Sequence, residues 1–368
     1  MSVKPKQYRD FFDEPETLAS PYDREDEPED LWFLPDPTDV SEDHDIPLPR
    51  ANTTPLLRPE DWFTAQGHHA AELARAAMAV GQLDMLVAQI GPGALERLAL
   101  REVEALSWSN GMPVSLEEIG RDQLHARAST DPRALQQARW AARRLVADGS
   151  TDDLRAFLGL HRPEGPDLPP DILPAGLRGR IAGSEFDEAA AEFQANLAEL
   201  SDAHDFTLAA FARYLWRLSD LSPEEDRIEG AVWAAKLMAQ RCLSLTFVPM
   251  GQGARQVQSG GARSFGSFLR AIESGVGAAR IELQRLSAWN DQAKSQTAVI
   301  KGSNPARIIE ALMAKPMATT EMIEQAAGIS RDTAERLLVR MADMGLVREV
   351  TGASRFRLWA AKVQYVVR

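Results

Sequence analysis

The 368-residue chain has a single cysteine, Cys242, which excludes an internal disulfide and any metal site built from several thiolates. Its flanks, MAQRCLSLTF, predict a buried helical position, as free thiols usually occupy. No apolar run reaches the eighteen or more uninterrupted residues of a membrane-spanning helix. The opening MSVKPKQYRD lacks the apolar stretch and small-residue cleavage site of a secretory signal, so the expected location is the cytoplasm, with no membrane partner. Histidine is scarce too. His68 and His69 are adjacent, so on a helix they point about 100° apart and cannot chelate as an i, i+4 pair does. No metal and no cofactor are expected. Strand signals are few before residue 345, and no period of a repeat array is present.

What is present is charge, unevenly placed. The net charge is −13, but residues 1–60 carry six Lys/Arg against sixteen Asp/Glu, whereas residues 296–368 carry eleven against seven. The C-terminal fifth is therefore the basic part of an acidic chain. Residues 1–58 mix proline and acids with no helical or strand period, a composition that buries too little apolar surface to offset ordering entropy. They read as an irregular arm, with Leu31-Trp32-Phe33-Leu34 as a patch that docks on the folded body or on a partner.

Residues 59–295 read as an all-α body. A helix runs from Pro59, with Asp61 as its N-cap, to Gln89 and ends at Gly91-Pro92-Gly93. A second, Ala94 to Ser107, places Leu95, Leu98, Ala99, Val103 and Leu106 on one stripe. Ser115 opens a Ser-x-x-Glu capping box, and Asp131-Pro132 starts a helix that ends near Asp148-Gly149. A short helix over Thr151 to Leu160 precedes the Pro-rich loop Arg162 to Pro174. Further helices are expected over Phe186–His204, Thr207–Leu218, Pro223–Leu245 and Phe265–Ala293. The aromatics of these helices, Trp108 and Trp140 among them, read as core. Glu224-Glu225-Asp226 and Glu229 read as first-turn acids that favour a helix dipole, and the glycine-rich stretch Met250 to Gly266 as a connection.

After a polar linker, Lys294 to Ser303, the pattern changes. Asn304-Pro305 caps a helix that Lys315-Pro316 stops; Thr319 or Thr320 caps a second, in which Met322, Ile323 and Ala326 face inward. Gly328 supplies the turn, Ile329 the corner, and Ser330 caps a third helix with Ala334, Leu337, Leu338 and Met341 on its apolar stripe. LVREV and FRLWAA alternate as two strands around Thr-Gly-Ala-Ser.

This order resembles the winged helix-turn-helix family across residues 304–361, within an expected domain of 304–368. The resemblance implies that double-stranded DNA is the partner, contacted by Ser330, Arg331, Thr333, Arg336 and Arg340 of the third helix and by Arg355 and Arg357 of the wing. Two stretches of the body, Ala99 to Ile119 and Phe268 to Lys294, are similar to pieces of Fic-domain proteins, which transfer phosphate-containing groups to protein hydroxyls. That family requires His-x-Phe-x-Asp/Glu-Gly-Asn-x-x-Arg after the helix FTLAAFARYLWRL; this chain has SDLSPEEDRIEG, Ser219 to Gly230, with no histidine. The layout also resembles a family of rhizobial proteins that join a domain of unknown function to a C-terminal helix-turn-helix. The expectation is a mainly α, non-enzymatic DNA-binding regulator whose body dimerises or senses an effector. The alternatives are a Fic-like transferase with an unconventional site and a non-catalytic interaction module.

Overall fold

The computed structural model describes residues 57–126, 128–160, 180–223, 225–251, 253, 261–352 and 357–363. Residues 1–56 of the arm, with the Leu31–Leu34 patch, and the loop Arg162 to Pro174 lie outside them. Residues from Leu56 onward belong to one unit.

Helix α1 (Pro59–His68) starts with proline at its first position, where the missing N–H would be unpaired anyway. Asp61 therefore sits inside the first turn, and the cap position falls to Arg58, which makes no side-chain cap bond. The expected single helix to Gln89 is two, because the backbone breaks at His69 and restarts as α2 (Ala70–Ile90). By length and composition α2 could cross a membrane, with mean hydropathy 1.2. It carries Leu73, Ala76, Val80, Leu83 and Val87 as a buried stripe, at the spacing of one helix face.

Helices α3 (Pro92–Ser109), α4 (Leu116–Gln123) and α5 (Pro132–Val146) follow. Ser115 caps α4 by accepting from the Glu118 amide at 3.2 Å. The reciprocal half of the capping box is missing, because the Glu118 carboxylate accepts instead from Ser129 and Thr130. Helices α6 (Leu154–Leu158), α7 (Gly183–Ala198) and α8 (Asp205–Trp216) continue the body.

Helix α9 (Ile228–Leu237) is half the length that the sequence pattern predicts. The Asp226 carboxylate accepts the amides of Ile228 and Glu229 and so fixes its start. At the far end, the amides of Leu243, Ser244 and Leu245 are taken by the buried carboxylate of Asp84 at 2.7 to 2.9 Å, which replaces helical partners with a side-chain acceptor. Cys242 is consequently in irregular backbone and half-buried, and burial pushes its thiol up to about 11.

Helix α10 (Phe265–Thr297) spans 33 residues and joins the two hydrophobic cores of the unit. Phe265, Phe268, Leu269, Ile272, Val276 and Leu283 lie in the body core. Leu286, Trp289 and Ala293, which follow within the next three turns, lie in the core of the C-terminal part. The stretch beginning at Lys294, predicted as linker, is helical through Thr297.

The C-terminal part has α11 (Asn304–Ala314), β1 (Ala318–Thr319), α12 (Thr320–Ala327), α13 (Arg331–Asp343), β2 (Val347–Glu349) and β3 (Leu358–Ala361). The antiparallel sheet has order β1-β3-β2, with Ala318 opposite Trp359 and Val347 opposite Ala361. β3 is buried on both faces, as its four consecutive buried residues require. Leu358 and Ala360 join the body core while Trp359 and Ala361 join the other, so the sheet is a layer between them. The architecture is mainly α with a C-terminal helix-turn-helix and a β-hairpin.

Candidate nucleic-acid interface

Local chemistry sets the two helices of the motif at their angle. Thr319 caps α12 by accepting from the Met322 amide at 3.1 Å. Gly328 ends it at φ +60°, the left-handed conformation for which glycine pays no Cβ penalty. Ser330 then caps α13: its hydroxyl accepts the Thr333 amide at 3.4 Å and shares a 2.9 Å bond with the Thr333 hydroxyl. Ile323 and Ala327 of α12 meet Ala334, Leu337, Leu338 and Met341 of α13 in one core. Ala326, expected inward, is exposed, because the buried stripe passes through Ala327.

With that stripe buried, the remaining surface of α13 is polar apart from Val339. Arg331, Arg336 and Arg340 are exposed, and their side chains make no hydrogen bond or ion pair with a described residue. Arg336 and Arg340, one turn apart, share a face; Arg331 lies on roughly the opposite side of the axis from Arg340, about 180° away at 100° per residue. Arg331 is at the N-terminal end, beside Ser330. Between the arginines stands Val339, 40 % exposed, an apolar residue that the sequence reasoning did not single out and that suits contact with a thymine methyl. Of the acids on this surface, Asp332 lies in the first turn, where the helix dipole favours it. Glu335 is engaged by Arg357 at 3.4 Å, which ties the start of β3 to α13. Arg357 is thus half-buried and anchored, and Arg355 lies outside the described residues.

The hairpin turn is closed from one side. The Glu349 carboxylate accepts from the Thr351 amide at 2.9 Å, the Gly352 amide at 2.7 Å and the Thr351 hydroxyl. Burial opposes its ionisation, but these bonds outweigh burial and hold the carboxyl below its ordinary range. On the other side of the sheet, the Trp359 indole donates to the Thr320 hydroxyl at 3.1 Å, fixing β3 to the start of α12.

The motif is also clamped to the body. Arg97 of α3, buried, donates to the carbonyls of Leu312 and Lys315 at the C-terminal end of α11, where the helix dipole favours a cation. Burial lowers its pKa to about 10, and the charge persists at neutral pH. Lys315 pairs with Glu96. Arg121 of α4 donates to Val350 O at 2.5 Å, and Arg348 of β2 pairs with Glu117 at 2.6 Å. A Cβ on Gly93 would lie 2.7 Å from the Ala314 oxygen, and one on Gly120 would meet the Met317 side chain, so both glycines permit the close approach.

Residues 306–361 match the family model described as "HTH DNA binding domain". This segment is a helix-turn-helix DNA-binding domain. The match covers the motif and the hairpin but not the body. No curated protein matches the sequence. Among solved structures, the chain is similar to that of a Fic family protein from Desulfovibrio desulfuricans G20, at 17 % identity and a TM-score of 0.44, over 80 % of this chain and 96 % of that one.

The body residues singled out from the sequence have structural work. In the segment Ser219 to Gly230, which runs from the end of α8 into the first turn of α9, Glu229 is buried and accepts Arg180 Nη2 with both carboxylate oxygens, at 2.6 and 2.7 Å. The Ser222 hydroxyl adds a third bond at 2.5 Å while accepting from the Trp216 indole. Burial raises the Glu229 pKa to about 7. Asp226 caps α9, as first-turn acids were expected to do; Glu224 lies outside the described residues. His68 and His69 stack edge to face at 4.8 Å, and His69 also meets Phe265. Of the glycine-rich stretch, residues 252 and 254–260 are outside the described set. The amides of Met250 and Gly251 at its start are held by the buried Glu102 carboxylate, at 3.1 and 2.7 Å. Trp108, expected in the core, is 54 % exposed.

Proposed function

We propose that the chain is a non-enzymatic transcriptional regulator that inserts α13 into the major groove, with the β-hairpin as a wing on the DNA backbone. The observation that carries this reading is the pair Arg336 and Arg340. Two guanidinium forks on one exposed helix face, without a partner among the described residues, suit guanine O6/N7 or phosphate. Arg331 and Ser330 at the helix start and Thr333 one turn on supply further donors. Arg357 serves the wing through its hold on Glu335, which also withdraws one acid from the reading face. One recognition helix per chain fits half of a two-fold site, so the acting species is a homodimer. The absence of a histidine between Ser219 and Gly230, where a buried Arg180–Glu229 pair stands instead, favours regulation over Fic-type transfer.

The test is capture of sheared genomic DNA from the source organism by the purified full chain, sequenced beside capture by Arg336→Ala/Arg340→Ala. A few enriched loci that the double variant loses are expected. Equal enrichment by both proteins, or none by either, would overturn the assignment.

A further inference from the structure

The body and the helix-turn-helix enclose a cleft of about 420 Å³. That volume is within the range of small-molecule sites, and boundaries between packed parts are where such sites concentrate. Its floor is hydrocarbon and thioether: Ala99 and Leu100 of α3, Ala142 and Val146 of α5, and Met317 and Met322 from the α11–β1–α12 corner. Glu96 and Lys315 are on its wall and neutralise one another. The charge left over is Arg143 of α5.

Arg143 is exposed at the rim and makes no hydrogen bond or ion pair with a described residue, unlike its neighbours. Arg139 forms a bidentate pair with Asp122 at 2.7 Å, and Arg144 donates to Ala156 O at 2.9 Å. The cleft thus offers an apolar bed with one uncommitted cation beside it. Part of its wall is the segment that leads into α12, the helix against which α13 packs.

We propose that this cleft is the effector site, and that its ligand is a small organic anion with an apolar body: the body lies on Leu100, Val146 and Met317, and the anionic head pairs with Arg143. The link to DNA rests on the function proposed above; the site itself does not. Because walls from both parts are needed, ligand binds the docked arrangement in preference to any other. It then holds α12 and α13 in that arrangement, shifting the population toward it by that difference in affinity.

Octanoate is the test ligand, with octan-1-ol and acetate as its two halves, measured by titration calorimetry on the full chain. Octanoate is expected to bind at one site and more tightly than either half. Arg143→Gln, a surface change that leaves the fold intact, weakens octanoate at least fivefold and leaves octan-1-ol unchanged. No binding of octanoate at millimolar concentration, or equal binding by the variant, overturns the site. In a second arm, octanoate changes wild-type affinity for a captured DNA fragment at least threefold, and does so less in Arg143→Gln. Octanoate that binds without moving DNA affinity overturns the effector role. Failure of both proteins to bind any DNA overturns the function proposed above, while the calorimetry still decides the cleft.

Discussion

The Trp289 indole N–H donates to the backbone oxygen of Leu346 at 2.7 Å, in the buried core beneath the hairpin. Trp289 stands on the same continuous helix as Phe265 and Ile272 of the body core, so one rod of backbone carries both parts. Leu346 follows Gly345, whose φ of +74° turns the chain out of α13 and into β2. The orientation of the DNA-binding motif is therefore set by α10 as well as by the contacts of Arg97 and Arg121.

Removing that bond tests the coupling. Trp289→Phe keeps an aromatic ring but leaves the Leu346 carbonyl with the Lys362 amide alone, at 2.9 Å, and opens a small cavity. A loss of about 2 kcal/mol is expected, from one lost hydrogen bond and the lost packing together. Urea unfolding followed by circular dichroism measures it, and a change under about 0.5 kcal/mol would show that the bond does not hold the parts together.

Gly93 makes a second, independent test of the docking. Gly93→Ala adds one methyl group, and in an open helix it would stabilise by roughly 0.5–1 kcal/mol. Here the added carbon meets the backbone oxygens at the end of α11, which cannot swing away as a side chain could. Destabilisation of about 1–3 kcal/mol is expected instead, with faster hydrogen exchange at the α3–α11 contact. A stabilised variant would contradict the close approach.

Glu102 gives a pH dependence with a definite sign. Burial raises its pKa to about 7, against the bonds from Gly251 and Met250 and the charge of Arg213 that favour the ionised form. The folded state therefore holds a proton that the unfolded chain has released. This group's contribution declines as pH rises from the unfolded value near 4.5 and levels off above about 7. Glu102→Gln cannot ionise, so its stability relative to wild type improves between pH 5 and 8 by on the order of 3 kcal/mol. Thermal melts of both proteins across that range check it; a constant difference would mean the carboxyl titrates normally.

The sequence made the helix-turn-helix legible because its determinants are local. Thr319 and Ser330 cap their own helices, Gly328 adopts its own left-handed turn, and Ala334, Leu337, Leu338 and Met341 repeat at helical spacing. β1 was invisible for the opposite reason: Ala318 and Thr319 become a strand only through pairing with Trp359 and Leu358, about forty residues away. The same holds for the end of α9, where Asp84 takes three amides across more than 150 residues of chain. Trp108 fits an apolar stripe by spacing yet lies outside the core, because periodicity does not show where the neighbouring helices stop. The exposed face of α13 followed from the stripe opposite it. The engagement of Glu335 by Arg357 did not, since it depends on how β3 approaches that helix.

DNA binding by the exposed face of α13, proposed above, is tested most directly by affinity for a duplex of mixed sequence across a salt series. The wild-type chain and Arg336→Ala/Arg340→Ala are compared by fluorescence anisotropy, with circular dichroism to show that both are folded. Each phosphate contact releases counterions, so the double variant is expected to bind at least tenfold more weakly and to lose up to about 2 units from the slope of log K against log salt. Equal affinity and equal slope in the two proteins would contradict the account.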